Sequence, residues 1–242
     1  MGDMPRFFLL EGFSGGEVVL EGDEARHAAQ VLRLKAGDAL TISDGVGREA
    51  HCRVTDITHG RVRAAIESVS ENGVEPGIKM CFYPSLSKGE RFSWTIQKLC
   101  ELGAWEITPI LSDRCVAREW SEQKANRYRR ILMESAKQCG RARIPALNAL
   151  EPFDECVRRQ RTGVTLFCYE GARGSLKAAL ESAGDFDEIH VFTGPEGGYT
   201  LGEAELIRES GIPSVSLGKI ILRCETAPLA AAAAVLYACG QM

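Results

Sequence analysis

Two loops of the sequence carry the residue types most able to do chemistry. The first, Thr193–Tyr199 (Thr-Gly-Pro-Glu-Gly-Gly-Tyr), directly follows the apolar run Ile189–Phe192, which is typical of a strand. In an open α/β sheet, ligands bind beyond the carboxyl ends of the strands. Glycines in such a loop let the backbone approach a ligand closely, and Pro195 stiffens it. The alternative is a plain glycine-rich turn into a helix that begins near Leu201.

The second loop, Ser216–Ala227, also leaves a predicted strand and leads into the last helix. It places Arg223, Glu225 and Thr226 at the mouth of that helix. Charged side chains between apolar Ile220–Leu222 and an alanine-rich helix cost free energy unless they are paired or used. A structural ion pair between Arg223 and Glu225 is therefore the alternative to a functional role.

Two other patterns do not support a cofactor or metal site. Gly45–Ala50 matches the dinucleotide-binding pattern G-x-G-x-x-A, but a strand follows where that motif requires a helix. The nine cysteines are widely spaced with no C-x-x-C, and the four histidines form no H-E-x-x-H. An odd number of scattered cysteines favours reduced thiols, most of them in the core, over a zinc site. We expect no metal.

The first part of the chain, residues 1–72, is predicted to be a small β-rich domain. Glu24–Leu34 has the pattern of a short amphipathic helix with Ala28, Val31 and Leu32 on one side. Short runs rich in Val, Ile and Thr follow, and Asp44-Gly45 is a strong turn signal between the first two. Together they suggest a little barrel. The predicted strands are Ala39–Ser43, Glu49–Ile57 and Arg61–Val69.

Residues 73–242 are predicted to form an α/β domain. The polar segment Glu71–Gly77 is a plausible linker, and beyond it strand-like and helix-like runs alternate, which indicates a mainly parallel sheet. The predicted strands are Lys79–Pro84, Ile107–Leu111, Val164–Tyr169, Ile189–Thr193 and Ser214–Leu217. The predicted helices include Arg91–Leu102, a helix from about Glu122 to Cys139, and a last helix from about Ala227.

Charge is distributed unevenly along the chain. The net charge is −4 overall, but residues 1–72 carry −4, residues 73–150 carry +5 and residues 151–242 carry −5. Arg114 to Arg143 holds nine basic groups against three acidic ones. Such a stretch favours an anionic partner, although a solvated helix face explains it equally well.

Composition excludes several classes of protein. With 45% hydrophobic and 26% charged residues, the chain is neither disordered nor a coiled coil. No apolar run reaches the roughly 18 residues that would span a bilayer. We therefore expect a soluble cytoplasmic protein with no membrane partner.

The two loops, together with further segments, resemble the SPOUT class of S-adenosylmethionine-dependent RNA methyltransferases. Within it the sequence is similar to the RsmE family, which methylates N3 of a uridine in small-subunit (16S) ribosomal RNA. The departures are small, and the one in the second loop is Lys219-Ile220, where Arg-Ile is typical. The matching segments are Pro5–Phe8, His27, Val31–Asp38, Trp94–Lys98, Glu101–Gly103, Lys137–Arg141, Gly194–Gly198, Ser216–Gly218 and Ile221–Ala227.

The resemblance implies a fold and an assembly. Family members have a small PUA-like N-terminal barrel that binds RNA, followed by a SPOUT domain with a C-terminal trefoil knot. The knot forms the cofactor pocket from three loops, which here map near Phe167–Gly171, Gly194–Gly198 and Ser216–Ala227. They are homodimers with the knot at the interface, so the last helix and Leu102–Trp105 are candidate dimer surface, with a buried core position as the equal alternative. The implied partner is small-subunit ribosomal RNA or the assembled small subunit.

The resemblance also implies the site. Arg223 is the candidate catalytic residue that stabilises the deprotonated uracil, because a cation near O2 and O4 favours that form. Glu225 would orient Arg223 or accept a proton, and Glu196 would touch the ribose or the amino-acid end of the cofactor. The predicted S-adenosylmethionine-binding residues are Tyr169, Glu170, Thr193, Gly194, Pro195, Glu196, Gly198, Ser216, Leu217, Gly218, Ile221, Leu222, Thr226 and Ala227.

The RNA is expected to cross the basic centre of the chain, with a second basic patch in the N-terminal domain. The predicted phosphate contacts are Arg6, Arg26, Arg33, Lys35, Arg114, Arg118, Lys124, Arg127, Arg129, Arg130, Lys137, Arg141 and Arg143. Two alternatives stay open: another RNA methylation of this class, on a ribose 2′-oxygen or on transfer RNA, and a catalytically silent RNA-binding factor in ribosome assembly.

Overall fold

The computed structural model describes residues 4–58 and 60–242, which divide into two compact units. The first unit ends at Glu75 and includes Ala136–Ile144, and the second comprises Pro76–Ser135 and Pro145–Met242. The sequence-based division assigned Ala136–Ile144 to the second domain. Its link to the first unit is a set of long-range contacts: Arg141 forms an ion pair with Glu75 at 2.7 Å, and the Ile144 amide donates to the Gly45 carbonyl.

The first unit is built on a five-stranded sheet. The three predicted strands are confirmed as β3 (Ala39–Ser43), β4 (Arg48–Thr58) and β5 (Arg61–Glu71), which pair in antiparallel fashion. Two short strands were missed: β1 (Arg6–Phe8) pairs in parallel with β3, and β2 (Glu17–Leu20) pairs with β5. The strand order is β1-β3-β4-β5-β2. Three- and four-residue strands are too short to show an alternating pattern.

The predicted amphipathic helix of the first unit is wrong in its second half. Helix α1 (Gly22–Arg26) passes into a π-helical turn, His27–Val31, in which the Leu32 amide donates to the His27 carbonyl at 3.0 Å. The wider turn rotates the following side chains away from the α-helical positions. Ala28 is buried as expected, but Val31 and Leu32 are exposed.

The second unit contains a seven-stranded sheet that is parallel throughout. The predicted strand Ile107–Leu111 divides in two, because Pro109 has no N–H to donate; only its first part joins this sheet. Its strands are β6 (Lys79–Pro84), β7 (Glu106–Ile107), β9 (Ala146–Leu147), β11 (Val164–Cys168), β12 (Gly174–Ser175), β13 (Glu188–Thr193) and β14 (Ser214–Ser216), in the order β12-β14-β11-β13-β6-β7-β9. The second part, β8 (Ile110–Leu111), pairs with β10 (Glu151–Pro152).

The described residues form six further helices: α2 (Glu90–Glu101), α3 (Glu122–Cys139), α4 (Phe153–Arg158), α5 (Leu176–Ala183), α6 (Leu201–Glu209) and α7 (Thr226–Ala238). Helix α6 begins with a capping box between Thr200 and Glu203, which fixes where the glycine-rich loop ends. Helix α7 packs against α2 and α5. No helix in the described part of the chain combines the length and apolar character needed to cross a membrane.

In the segment Leu102–Trp105, Gly103 and Ala104 are buried within this unit, whereas Leu102 and Trp105 are partly exposed. Ala104 is fully buried, and Trp105 is half-buried against a cluster that includes Tyr83 and Phe192. All nine cysteines are free thiols, and six of them are buried.

A buried hydrogen-bond chain joins β6 to β13. The Arg161 Nε donates to the Tyr83 hydroxyl at 3.2 Å, which lies 3.1 Å from His190 Nδ1. His190 Nε2 lies 3.0 Å from the Thr162 carbonyl, so it carries the proton and Nδ1 accepts from Tyr83. Burial lowers the pKa of His190 against the attraction of Glu188, and burial raises the pKa of Tyr83 to about 12. His190 is therefore neutral.

Cys81 and Glu188 lie beside His190, and one potential ligand atom of each lies within 4.8 Å of the others. Both ring nitrogens of His190 already have hydrogen-bond partners. The expectation of no metal stays a prediction.

A His190→Gln variant tests how the burial of this imidazole makes the free energy of unfolding depend on pH. Because the pKa of His190 is lower in the folded chain than the 6.5 of the free side chain, the unfolded state takes up the proton first as the pH falls. The contribution of the neutral imidazole is fully present above about pH 6.5 and declines below it. In urea titrations from pH 8 to pH 5, the free energy of unfolding should fall more steeply for the wild type than for the variant. Equal slopes would contradict this account.

Gly163 is required where the chain enters β11. Its φ of +72° lies in the left-handed region, and a Cβ atom there would stand 2.3 Å from the Glu188 carbonyl oxygen. We expect Gly163→Ala to lower the free energy of unfolding by about 2 kcal/mol or more. The matched control is Gly202→Ala in helix α6, where the nearest atom is 4.0 Å away and alanine should stabilise by up to about 1 kcal/mol. Similar effects of the two changes in urea unfolding would show that the backbone at Gly163 is not constrained.

Candidate functional site

Three loops meet at the carboxyl ends of the adjacent strands β14, β11 and β13. Because these strands are parallel, their carboxyl ends lie at one edge of the sheet. The loops that follow them enclose a cleft of about 470 Å3. That volume lies in the range of sites that bind small molecules or cofactors.

Most of the predicted cofactor-binding residues line this cleft. Thr193 is instead buried at the end of β13, and Thr226 is the first residue of α7. The lining residues among those predicted are Tyr169, Glu170, Gly194, Pro195, Glu196, Gly198, Ser216, Leu217, Gly218, Ile221, Leu222 and Ala227, together with Arg223 and Glu225.

Six lining residues were not named individually as contacts: Arg91, Cys168, Gly197, Lys219, Ile220 and Cys224. Five of them lie within the three loops in which the resemblance places the pocket, so only Arg91 lies outside the predicted segments. Arg91 comes from α2, more than 70 residues earlier in the chain, and no local pattern marks it.

The glycine-rich loop is held in a shape that larger residues would obstruct. Gly198 has a φ of +67°, and a Cβ atom on it would lie 2.8 Å from the Glu170 carboxylate. A Cβ atom on Gly194 would lie 2.9 Å from the ring of Tyr199. Arg114 donates to the Gly197 carbonyl at 2.9 Å and to the Tyr199 carbonyl at 3.3 Å. The position of this loop is therefore set by its neighbours before any ligand binds.

Glu196 presents an unsatisfied oxygen beside the cleft. Its Oε1 accepts hydrogen bonds from the Lys88 amide at 3.0 Å and from Arg91 at 3.2 Å. Its Oε2 is buried and has no hydrogen-bond partner within the described residues. A buried carboxylate oxygen without a donor is costly. A hydroxyl or ammonium group of a ligand in the cleft would satisfy it.

The second loop places Arg223 at the surface of the cleft. Its carbonyl accepts from the Thr226 and Ala227 amides, both at 2.9 Å, which forms the turn into α7. In the described chain Arg223 and Glu225 form no ion pair, so the predicted structural alternative does not account for Arg223. The Cys224 thiol instead donates to Glu225 Oε2 at 3.1 Å.

The ionisable groups near Arg223 have shifted pKa values. Partial burial opposes ionisation of Glu225, but the Cys224 thiol, its own backbone N–H and the charges of Arg91 and Arg223 together hold its pKa below the usual value. Burial and the bond to Glu225 raise the pKa of Cys224 to about 12, and burial raises that of Cys168 to about 12. At neutral pH Glu225 is a carboxylate, and both thiols are protonated.

Several residues predicted to contact RNA are already occupied. Arg141 is almost fully buried and binds the Glu75 carboxylate through Nε and Nη2, so it is corrected to a structural ion pair. Arg6 is likewise held by Glu49 and Ser43. Lys137 is largely buried in an ion pair.

The other predicted contacts are more accessible. Arg127 and Arg129 are exposed and pair with Glu90 at 2.7 Å and Glu122 at 2.6 Å. Arg143 donates to a carbonyl within the first unit. The remaining predicted contacts are exposed or half-exposed: Arg26, Arg33, Lys35, Arg114, Arg118, Lys124 and Arg130.

Comparisons with known protein families match nearly the whole chain. A model described as RNA methyltransferase domain matches residues 75–236, and one described as RNA methyltransferase PUA domain matches residues 20–67. The chain therefore combines a PUA domain with an α/β RNA methyltransferase domain.

Individual relatives match over similar lengths. The ribosomal RNA small subunit methyltransferase E of Bacillus subtilis is 31% identical over 90% of this chain and 89% of its own length. That of Synechocystis is 33% identical over 89% of this chain and 71% of its own length. The crystal structure of the Neisseria gonorrhoeae protein of this name, bound to S-adenosyl methionine, is 32% identical, covers 97% of this chain and 98% of its own, and has a TM-score of 0.89. By its family models and its relatives, this chain belongs to the ribosomal RNA small subunit methyltransferase E family.

Proposed function

We propose that this protein transfers the methyl group of S-adenosylmethionine to N3 of a uridine in small-subunit ribosomal RNA, in the cytoplasm. The observation that carries the proposal is the cleft at the carboxyl ends of β11, β13 and β14, lined by the two loops that match the family. The Neisseria gonorrhoeae relative with the same fold binds S-adenosyl methionine. We also assign to this chain the trefoil knot of the family.

The cleft residues suit this cofactor. Gly194 and Gly198 let Tyr199 and Glu170 pack closely against the backbone, which holds the loop in shape, and the free Oε2 of Glu196 would accept a hydrogen bond from a ribose hydroxyl or from the amino-acid end. When bound, S-adenosylmethionine supplies an activated methyl group. The work left to the protein is to hold that group in line with the attacking atom.

Arg223 is the residue we assign to activation of the uridine. Neutral uracil carries a proton on N3 and is a poor nucleophile, whereas the deprotonated base has negative charge on O2 and O4. An exposed guanidinium at the mouth of the cleft, with no acidic partner in the described chain, is available to stabilise that charge. Because the pKa of Glu225 is lowered, it is a weak base, so we do not assign the N3 proton to it. Its carboxylate is held by the Cys224 thiol and acts on Arg223 through its charge, not through an ion pair.

The test is methyl transfer from labelled S-adenosylmethionine to small-subunit ribosomal RNA, offered both free and as the assembled subunit, with nucleoside analysis of the product. We expect 3-methyluridine. Arg223→Ala should lower the rate by roughly 100- to 1,000-fold because it removes a charge that acts in the transition state. Arg223→Lys should be intermediate, since lysine keeps the charge but not the planar fork.

Cofactor affinity, measured by calorimetry, is the control and should be unchanged in both variants. A methylated ribose or a different base in the product would reject the N3 assignment. Normal transfer by Arg223→Ala would reject the role given to Arg223.

We further propose a homodimer that uses the outer face of α7. A groove of about 820 Å3 runs between α5 and α7 and is lined mostly by small and apolar residues, among them Leu176, Leu180, Ala230 and Ala234. Tyr237 is 77% exposed at its edge. A second copy of this chain would cover the exposed Tyr237 and the partly exposed Ala230 and Ala234.

The RNA would cross α3, where Arg127, Arg129 and Arg130 are exposed. The ion pairs of Arg127 and Arg129 are at the surface, so a phosphate can replace the carboxylate at little cost. Replacing the three by Ala should weaken RNA binding and reduce the slope of log affinity against log salt by about 2 on single-stranded RNA.

The matched control removes three exposed cations that, like Arg127 and Arg129, are paired with acids: Arg158→Ala, Arg159→Ala and Arg208→Ala together. This variant should keep the RNA affinity and the salt slope. If the α3 variant instead retains both but sediments as a monomer, the arginines stabilise the dimer and the docking surface is wrong.

A further inference from the structure

Val31 and Leu32 form a small exposed apolar patch on the first unit. Their exposed fractions are 66% and 41%, although the sequence pattern predicts both to be buried. They lie at the end of the π-helical turn His27–Val31, and such turns are frequent at functional sites. Exposing two neighbouring aliphatic side chains costs free energy, which a bound partner would recover.

The backbone on either side of Val31 and Leu32 holds these two side chains towards solvent. On one side Ala28 is fully buried, and on the other Leu34 packs against the core of the unit, with its amide bonded to the Ala28 carbonyl at 3.0 Å. The Lys35 amide donates to Asp38 Oδ2 at 2.7 Å, which closes the following turn. Between these anchors Arg33 adopts a φ of +55°, and it is the only residue other than glycine with positive φ in the described chain. The segment is therefore pre-formed.

The charged residues near Val31 and Leu32 are typical of a surface that binds a polyanion. Arg33 and Lys35 are exposed, and within residues 4–58 and 60–242 neither side chain has an acidic partner. The nearby acids are engaged: Asp23 with Arg26, Glu24 with Lys137, and Asp38 with the Lys35 amide. Two apolar side chains followed in the chain by two cations without acidic partners suit a nucleic acid, because apolar side chains can enter between bases while cations hold the phosphates.

We propose that Val31 and Leu32 form an apolar wedge that inserts between neighbouring bases of the RNA substrate, while Arg33 and Lys35 contact the flanking phosphates. This inference rests on the proposed function, which makes the substrate RNA. The wedge would contact the bases, in addition to the contacts that the arginines of α3 make with the phosphates. A protein partner on the assembled subunit is the competing occupant.

The experiment separates apolar from charged contributions through their salt dependence. Protein-free small-subunit ribosomal RNA is titrated with the full-length protein over a range of salt concentrations. A Val31→Ala/Leu32→Ala variant should lose roughly tenfold in affinity with an unchanged salt slope, since it buries less apolar surface but neutralises the same phosphates. Arg33→Ala/Lys35→Ala should also bind more weakly, but with a slope reduced by about 1.4.

The matched control is Val69→Ala on β5, a similarly exposed aliphatic residue (51%) of the same unit, which should bind RNA as the wild type does. Circular dichroism and urea unfolding check that each variant is folded. Wedge variants that bind RNA like the Val69→Ala control overturn the proposal. So does a loss of affinity that is seen only with the assembled subunit and not with protein-free RNA, because the occupant is then a protein.

Failure of the wedge is distinguishable from failure of the proposed function. Formation of 3-methyluridine by the wild type, measured alongside, tests the function alone. If the wild type methylates RNA and the wedge variant equals its control, the wedge is wrong and the function stands. The reverse result, wedge-dependent RNA binding without methyl transfer, rejects the function and leaves the RNA contact in place.

Discussion

The parallel arrangement of β14, β11 and β13 is the constraint on which the site depends. Parallel neighbours end at the same edge of the sheet, so loops that are far apart in the sequence must meet there. The register depends on close approaches such as that of Gly163 to the Glu188 backbone, where only glycine fits. A shift of one strand would separate the glycine-rich loop from the loop of Arg223.

Electrostatics around the cleft follow from the same convergence. Arg91 is contributed by α2 and neutralises one oxygen of Glu196, while its charge also lowers the pKa of Glu225. One cation from outside the loops thus serves two acids within them. Arg223 forms no ion pair in the described chain, although its charge also lowers the pKa of Glu225, so its guanidinium stays available to a bound base. In the cleft, Arg91 therefore has a structural role, whereas Arg223 can act on a substrate.

The basic side chains elsewhere in the protein also divide into those held in ion pairs and those exposed without an acidic partner. Arg6 and Arg141 are counted as basic by any sequence measure, yet Arg6 is paired with the buried Glu49 and Arg141, itself buried, is paired with Glu75. Arg33, Lys35 and Arg130 are exposed, and the described chain offers them no acidic partner. Net charge along the sequence therefore overstates the central basic region and conceals the small patch of the N-terminal unit. Accessibility, not composition, decides which cations can meet a phosphate.

The sequence by itself determined the elements with long periodic patterns and the motifs that follow them. Helix α3, strand β6 and the three strands of the first unit were predicted closely, because their burial pattern is local. The family resemblance placed both loops of the cleft. The position of Arg91 in the cleft could not be predicted from the sequence, because it lies on a helix that comes from a remote part of the chain. The exposure of Val31 and Leu32 was also decided by tertiary structure: the core of the first unit takes Ala28 and Leu34, and the π-helical turn between them leaves the intervening side chains facing solvent.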